Sequence, residues 1–93
     1  MKWTKVKPPK IAKRWWEAAA DGFDLSIGEY SRKQRGRMYH YFVAGIYYSK
    51  DENPLWREVI HDQTLQYVQA RAEKALAYAK IQHHVRSHVE QSA

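Results

Sequence analysis

RWWEAAADGFDLSIGE, residues 14–29, is the stretch whose reading decides the fold. At its centre, Asp21-Gly22 is the strongest short signal for a two-residue hairpin, because both central residues of a type I′ turn need positive φ. Every residue before the turn then has a defined partner after it. Ala20 meets Phe23, Ala18 meets Leu25 and Trp16 meets Ile27, which makes one face apolar. On the other face Ala19 meets Asp24, Glu17 meets Ser26, and Trp15 lies over Gly28, where a ring can cover a strand glycine. Arg14 falls opposite Glu29 as an ion pair. A helix over residues 10–20 competes, since Ile11, Trp15, Ala18 and Ala19 form a helical stripe and residues 17–20 favour helix by propensity. That reading accounts for none of the cross-strand complementarity. The hairpin is therefore preferred, with strand against helix still open at residues 10–20.

Residues 37–48 read as the clearest strand in the chain, rich in Met, Tyr, Phe, Val and Ile with only Gly45 against it. Alternation assigns Met38, His40, Phe42, Ala44, Ile46 and Tyr48 to the core. It leaves Tyr39, Tyr41, Val43 and Tyr47, with Trp15, as an aromatic stripe on an open face. Residues 49–54 read as a turn, with Asn53 capping a short helix that begins at Pro54 and runs through Leu55, Trp56, Val59 and Ile60. Asp62 then caps a longer helix with apolar positions at Leu65, Val68, Ala72, Ala75, Leu76 and Ala79. Beyond Ala79 the stripe shifts to Tyr78, Ile81, Val85 and Val89. A helix of that length spans roughly 40 Å against about 20 Å for a six-residue strand, so it overhangs the sheet. A homodimer through the C-terminal helix is the expected way to cover the overhang.

The fold expected is α+β: a three-stranded antiparallel sheet, four-stranded if residues 3–6 add an edge strand, packed by a C-terminal helix in β-β-β-α order. Residues 1–13 form a basic N-terminal arm broken by Pro8 and Pro9, and residues 14–93 a single α+β domain.

Charge is segregated along the 93 residues. Residues 1–37 hold ten basic side chains and four acids, whereas residues 38–93 hold six of each, so the whole net charge of +6 lies in the first part. The basic residues cluster in the arm (Lys2, Lys5, Lys7, Lys10, Lys13, Arg14) and in a run read as a loop (Arg32, Lys33, Arg35, Arg37). Lysine-rich ends can serve solubility or shield a sheet edge. The alternative is phosphate binding, in which each contact releases counterions.

The absence of cysteine excludes a disulfide framework, a thiolate zinc site and a cysteine nucleophile. No run of about 18 apolar residues reads as a membrane span, and residues 1–14 lack the apolar centre of a signal peptide, so a cytoplasmic protein without a membrane partner is expected. His84 and His88 share a helix face without an evident third ligand, so no metal is assigned. His40 reads as a hydrogen-bonded core histidine and His61 as a helix-junction residue. The carboxylates Glu17, Asp21, Asp24, Glu29, Asp51, Glu52 and Asp62 form no paired arrangement, so neither a catalytic residue nor a cofactor is assigned and an enzyme is not expected.

Trp3-Thr4-Lys5-Val6, the Asp-Gly hairpin of residues 21–27, the aromatic strand of residues 38–48 and the helix pattern of residues 64–76 resemble a loose group of small phage and mobile-element proteins. The plan is also similar to that of the arm-binding domains of tyrosine recombinases and of plant AP2-type domains. The resemblance implies a sheet-plus-helix fold and, if the chain is phage-encoded, a host-cell cytoplasm; it implies no activity. Two functions are expected from different classes. One is a non-enzymatic accessory protein that binds nucleic acid, with the arm lysines, Arg14 and residues Arg32, Lys33, Arg35 and Arg37 on phosphates and Trp15, Tyr39, Tyr41 and Tyr47 on bases. The other is a phage-encoded inhibitor of the anti-CRISPR type that docks on a host protein or nucleoprotein complex. Tyr39, Tyr41 and Tyr47 could equally just cover a half-buried strand.

Overall fold

The computed structural model describes the backbone of residues 1–49 and 51–92 and the side chains through His88, residue 50 excepted. The chain is α+β, with an open antiparallel sheet of five strands followed by a C-terminal helix. The strands are β1 (Thr4–Val6), β2 (Arg14–Ala20), β3 (Phe23–Gln34), β4 (Arg37–Tyr48) and β5 (Trp56–His61), and the helix is α1 (Leu65–Ser92). The sheet order β1-β2-β3-β4-β5 is a simple meander. Five strands replace the three or four expected from sequence.

Two turns set the register. Asp21 (φ 55°) and Gly22 (φ 85°) form the β2–β3 turn. The pairs from Arg14↔Glu29 to Ala20↔Phe23 are those that the hairpin reading requires. A second turn, at Arg35 (φ 52°) and Gly36 (φ 78°), closes β3 on β4 through Gln34↔Arg37. Both have the two consecutive positive φ values that match the right-handed twist of the strands. Residues 32–37 are accordingly not a loop. Only Arg35 and Gly36 turn, and Arg32 and Lys33 lie within β3. Position 35 lacks the usual Asn or Asp, which hides the turn in the sequence.

The short helix expected after Asn53 does not form. Residues 56–61 instead pair with β4 from Ile46↔Trp56 to Tyr41↔His61, and the Leu55 amide donates to the Ile46 carbonyl at 2.8 Å. Six residues with adjacent Val59 and Ile60 are too few to sustain a helix, and the free edge of β4 satisfies their backbone groups in pairing. Asp62 takes a positive φ of 55° at the end of β5 rather than capping the helix. The cap is Thr64, whose Oγ1 accepts the Tyr67 amide at 3.1 Å.

Alternation sends Trp16 and Ala18, Phe23, Leu25 and Ile27, Phe42, Ala44 and Ile46 to the face under α1. The helix meets them with Val68, Ala72, Ala75, Leu76 and Ala79. Its small alanines bring the backbone close enough for the large sheet side chains to fill the interface. Polar contacts fasten the rim: Lys80 Nζ to Asp21 at 2.6 Å, Arg71 to Glu58 at 2.9 Å, and the Trp3 indole N–H to Glu73 at 3.4 Å. His83 stacks on Tyr48 with ring centroids 3.8 Å apart. Tyr78 and Ile81 are exposed on the helix's outer side, and past His83 the helix overhangs the sheet with Val85 exposed; the side chain of Val89 lies outside the described residues.

Met38 and His40 are corrections to the expected core. Both are exposed, because β2 ends opposite Glu29 and β5 ends opposite Tyr41, so the outer part of the β3–β4 hairpin has no helix beneath it. Ile27 is fully buried and Ile11 is 83% exposed. Ile27→Ala is expected to lower the unfolding free energy by about 3 kcal/mol in urea titration, and Ile11→Ala to change it by less than about 0.5 kcal/mol. Equal costs would contradict this core.

Candidate functional site

The face of the sheet turned away from α1 carries a concavity of about 500 Å³. Its floor comes from Trp15 on β2, Tyr30 on β3, and Tyr41, Val43 and Tyr47 on β4. Two glycines let the rings lie against the backbone. A Cβ at Gly28 would stand 2.6 Å and 2.8 Å from ring atoms of Trp15 and 2.8 Å from Cε2 of Tyr30. A Cβ at Gly45 would stand 3.0 Å from the Tyr47 ring. Trp15 and Tyr30 therefore converge over Gly28, and Tyr47 covers Gly45.

Cross-strand pairing then extends the floor sideways. Tyr30 and Tyr41 are Cα partners whose rings stack at 5.5 Å with 16° between planes. Tyr41 and His61 are partners in turn, with centroids also 5.5 Å apart. The result is an aromatic row across three strands.

Arg32 and Arg57 reach the concavity from β3 and β5, and among the described residues no carboxylate lines it. Neither makes an ion pair among the described residues. Burial raises the Tyr30 hydroxyl above the ordinary tyrosine range, with Tyr41 adding to the effect, while the positive charge of Arg57 acts against it.

Beyond this floor, β3 and β4 continue as a two-stranded ribbon. The pairs Ser31↔His40, Arg32↔Tyr39, Lys33↔Met38 and Gln34↔Arg37 have no neighbouring strand on either side. Arg32, Lys33, Arg35 and Arg37 are exposed on it and make no ion pair among the described residues. The β1–β2 connection lies at the same end of the sheet, because the Lys13 amide donates to the Glu29 carbonyl at 2.8 Å. Lys7, Lys10 and Lys13 therefore stand at the ribbon end, all exposed.

The remaining expected site residues are placed elsewhere. Arg14 shares the helix-side face with Trp16, lying 5.9 Å from its ring, and gives both its Nε and Nη2 to Glu29 at 2.7 Å and 2.9 Å. That hydrogen bond and the carboxylate charge raise its pKa. Lys5, opposite Trp16, is also on the helix-side face. Lys2 borders a shallow depression with Glu17 and Asp24 at the far end of the open face, where the carboxylates offset it. Lys33 alternates to the helix-side face of the ribbon. Trp15, Arg32, Tyr41 and Tyr47 come together in the concavity, and Tyr39, 38% exposed, continues the row onto the ribbon.

Sequence reasoning missed Tyr30, Arg57 and His61. Tyr30 becomes visible once Arg35-Gly36 is read as a turn, since its partner is then Tyr41. Arg57 and His61 follow from alternation through Trp56, Glu58 and Ile60 on the opposite face.

Among the described residues no group of three His, Cys, Asp or Glu could hold a metal ion. Among the same residues no helix is long and apolar enough to cross a membrane. Comparison with protein-family models, with curated proteins and with solved structures finds no match.

Gly28→Ala would force two rings off the floor at once. It is expected to cost about 1–3 kcal/mol of stability and to alter the near-UV circular dichroism of the aromatic side chains. An unchanged spectrum would show that the rings do not rest on Gly28.

Proposed function

We propose that this chain is a nucleic-acid-binding accessory protein that grips the phosphate backbone with the basic end of its sheet and meets bases with the aromatic open face. The observation that carries the reading is the β3–β4 ribbon. Four cations on a projecting hairpin, without a neutralising carboxylate, raise the folded chain's own electrostatic energy and gain when an external polyanion arrives. Lys7, Lys10 and Lys13 at the same end extend that surface, whereas Arg14, paired with Glu29, contributes to the sheet rather than to binding.

Sequence-independent phosphate contact has a measurable signature. Four neutralised phosphates imply that affinity for a labelled oligonucleotide falls about 10²-fold between 50 mM and 200 mM salt, from a slope near −0.9 per contact. Replacing Lys33, Arg35 and Arg37 together with alanine should weaken binding and flatten the slope by about three contacts' worth, read by fluorescence anisotropy. These positions are exposed, so the melting temperature should hold. No binding at 50 mM salt, together with a protein partner that survives nuclease treatment in a pull-down, would contradict the reading and support docking on a protein surface.

A further inference from the structure

We infer that the open-face concavity is a pocket for one unpaired nucleotide, its base stacked on the aromatic floor and its phosphate drawn by the guanidinium groups on the lining, Arg32 toward the ribbon and Arg57 on β5. This rests on the nucleic-acid reading and sharpens it, because it names single-stranded or locally unpaired nucleic acid as the ligand class.

Four observations converge on a planar, anionic occupant. The volume of about 500 Å³ lies within the range of small-ligand sites. The floor is built of aromatic rings, with Trp15 over Gly28 and Tyr47 over Gly45, and any base has a π-face to stack on such rings. Among the described residues the lining holds two guanidinium groups and no carboxylate, which selects an anion and disfavours a cation or a neutral apolar ligand. Polar groups at Ser26, the tyrosine hydroxyls and His61 add hydrogen-bonding capacity around the aromatic surface.

Continuity with the ribbon decides between a free nucleotide and a strand. Arg32 belongs both to the ribbon and to the pocket lining, and its Cα partner Tyr39 prolongs the aromatic row outward. A strand whose phosphates follow Arg35, Arg37 and Arg32 is led into the concavity. A duplex cannot enter in this way, because its bases bury both faces in the stack, and exposing one costs unpairing energy.

The test compares a fluorescein-labelled 12-nucleotide oligothymidylate with a labelled hairpin duplex, both at 100 mM salt. Arg57→Ala, Tyr41→Ala and Val59→Glu alter the pocket. Val59 is 42% exposed and lines the rim, so Val59→Glu places a carboxylate there without disturbing the core, and it carries the test should Tyr41→Ala unfold. The expected result is tighter binding of the single strand, a loss of about 10-fold for each pocket variant on the single strand, and less than twofold change on the duplex. Uridine monophosphate should compete with the oligonucleotide where inorganic phosphate at the same concentration does not. Equal losses on both nucleic acids, no loss on either, or competition by phosphate as strong as by the nucleotide would overturn the pocket while leaving the ribbon reading intact. Failure of the unaltered protein to bind either oligonucleotide would remove the nucleic-acid reading itself, and the pocket with it.

Discussion

A five-stranded sheet has two faces, and this chain has one helix with which to cover them. The rest of the structure follows from that imbalance. Under α1 the sheet is covered by Val68, Ala72 and Ala79, each with no exposed surface. The helix gains its stability chiefly from that docked stripe. On the opposite face the side chains must cover the sheet themselves. Trp15, Tyr30 and Tyr47 do so by lying over Gly28 and Gly45, and a half-buried aromatic surface is the consequence.

The same imbalance separates the molecule end from end. β3 and β4 are 12 residues each, while β2 has 7 and β5 has 6. The long hairpin therefore outruns its neighbours at the Arg35-Gly36 end. The helix outruns the sheet at the other end, past His83, which stacks on Tyr48. Free cations gather at the first end, on the ribbon and the β1–β2 connection. Glu17 and Asp24 lie along the open face toward the second. Unpaired positive charge is thus concentrated at one end of the sheet, and the aromatic floor begins where the ribbon stops.

Much of this was legible in the sequence, for identifiable reasons. Asp21-Gly22 declares its turn by residue type, and once it is placed the pairing of Arg14 with Glu29 and of Trp15 with Gly28 follows from counting alone. Residues 37–48 alternate strongly enough to be assigned without neighbours. The failures share one cause, which is that a local pattern was outweighed by what the sheet edge offered. Leu55, Trp56, Val59 and Ile60 fit a helical turn, yet the open hydrogen-bonding groups of β4 made a strand of them. Arg35 carries no turn signature, so the ribbon read as a loop and Tyr30 stayed hidden. Met38 and His40 followed the alternation correctly but lay beyond the helix, where facing the core side does not mean burial.

The central claim is that ligand binding belongs to the open face and its basic end, and not to the helix or its overhang. Amide and indole chemical shifts, followed by nuclear magnetic resonance during titration with an oligonucleotide, test it most directly. The account predicts that shifts concentrate at the Trp15 indole N–H and at residues 30–41 and 57–61, with residues 65–85 of α1 unmoved. Shifts centred on Tyr78, Ile81 and Val85, with the open face silent, would contradict it.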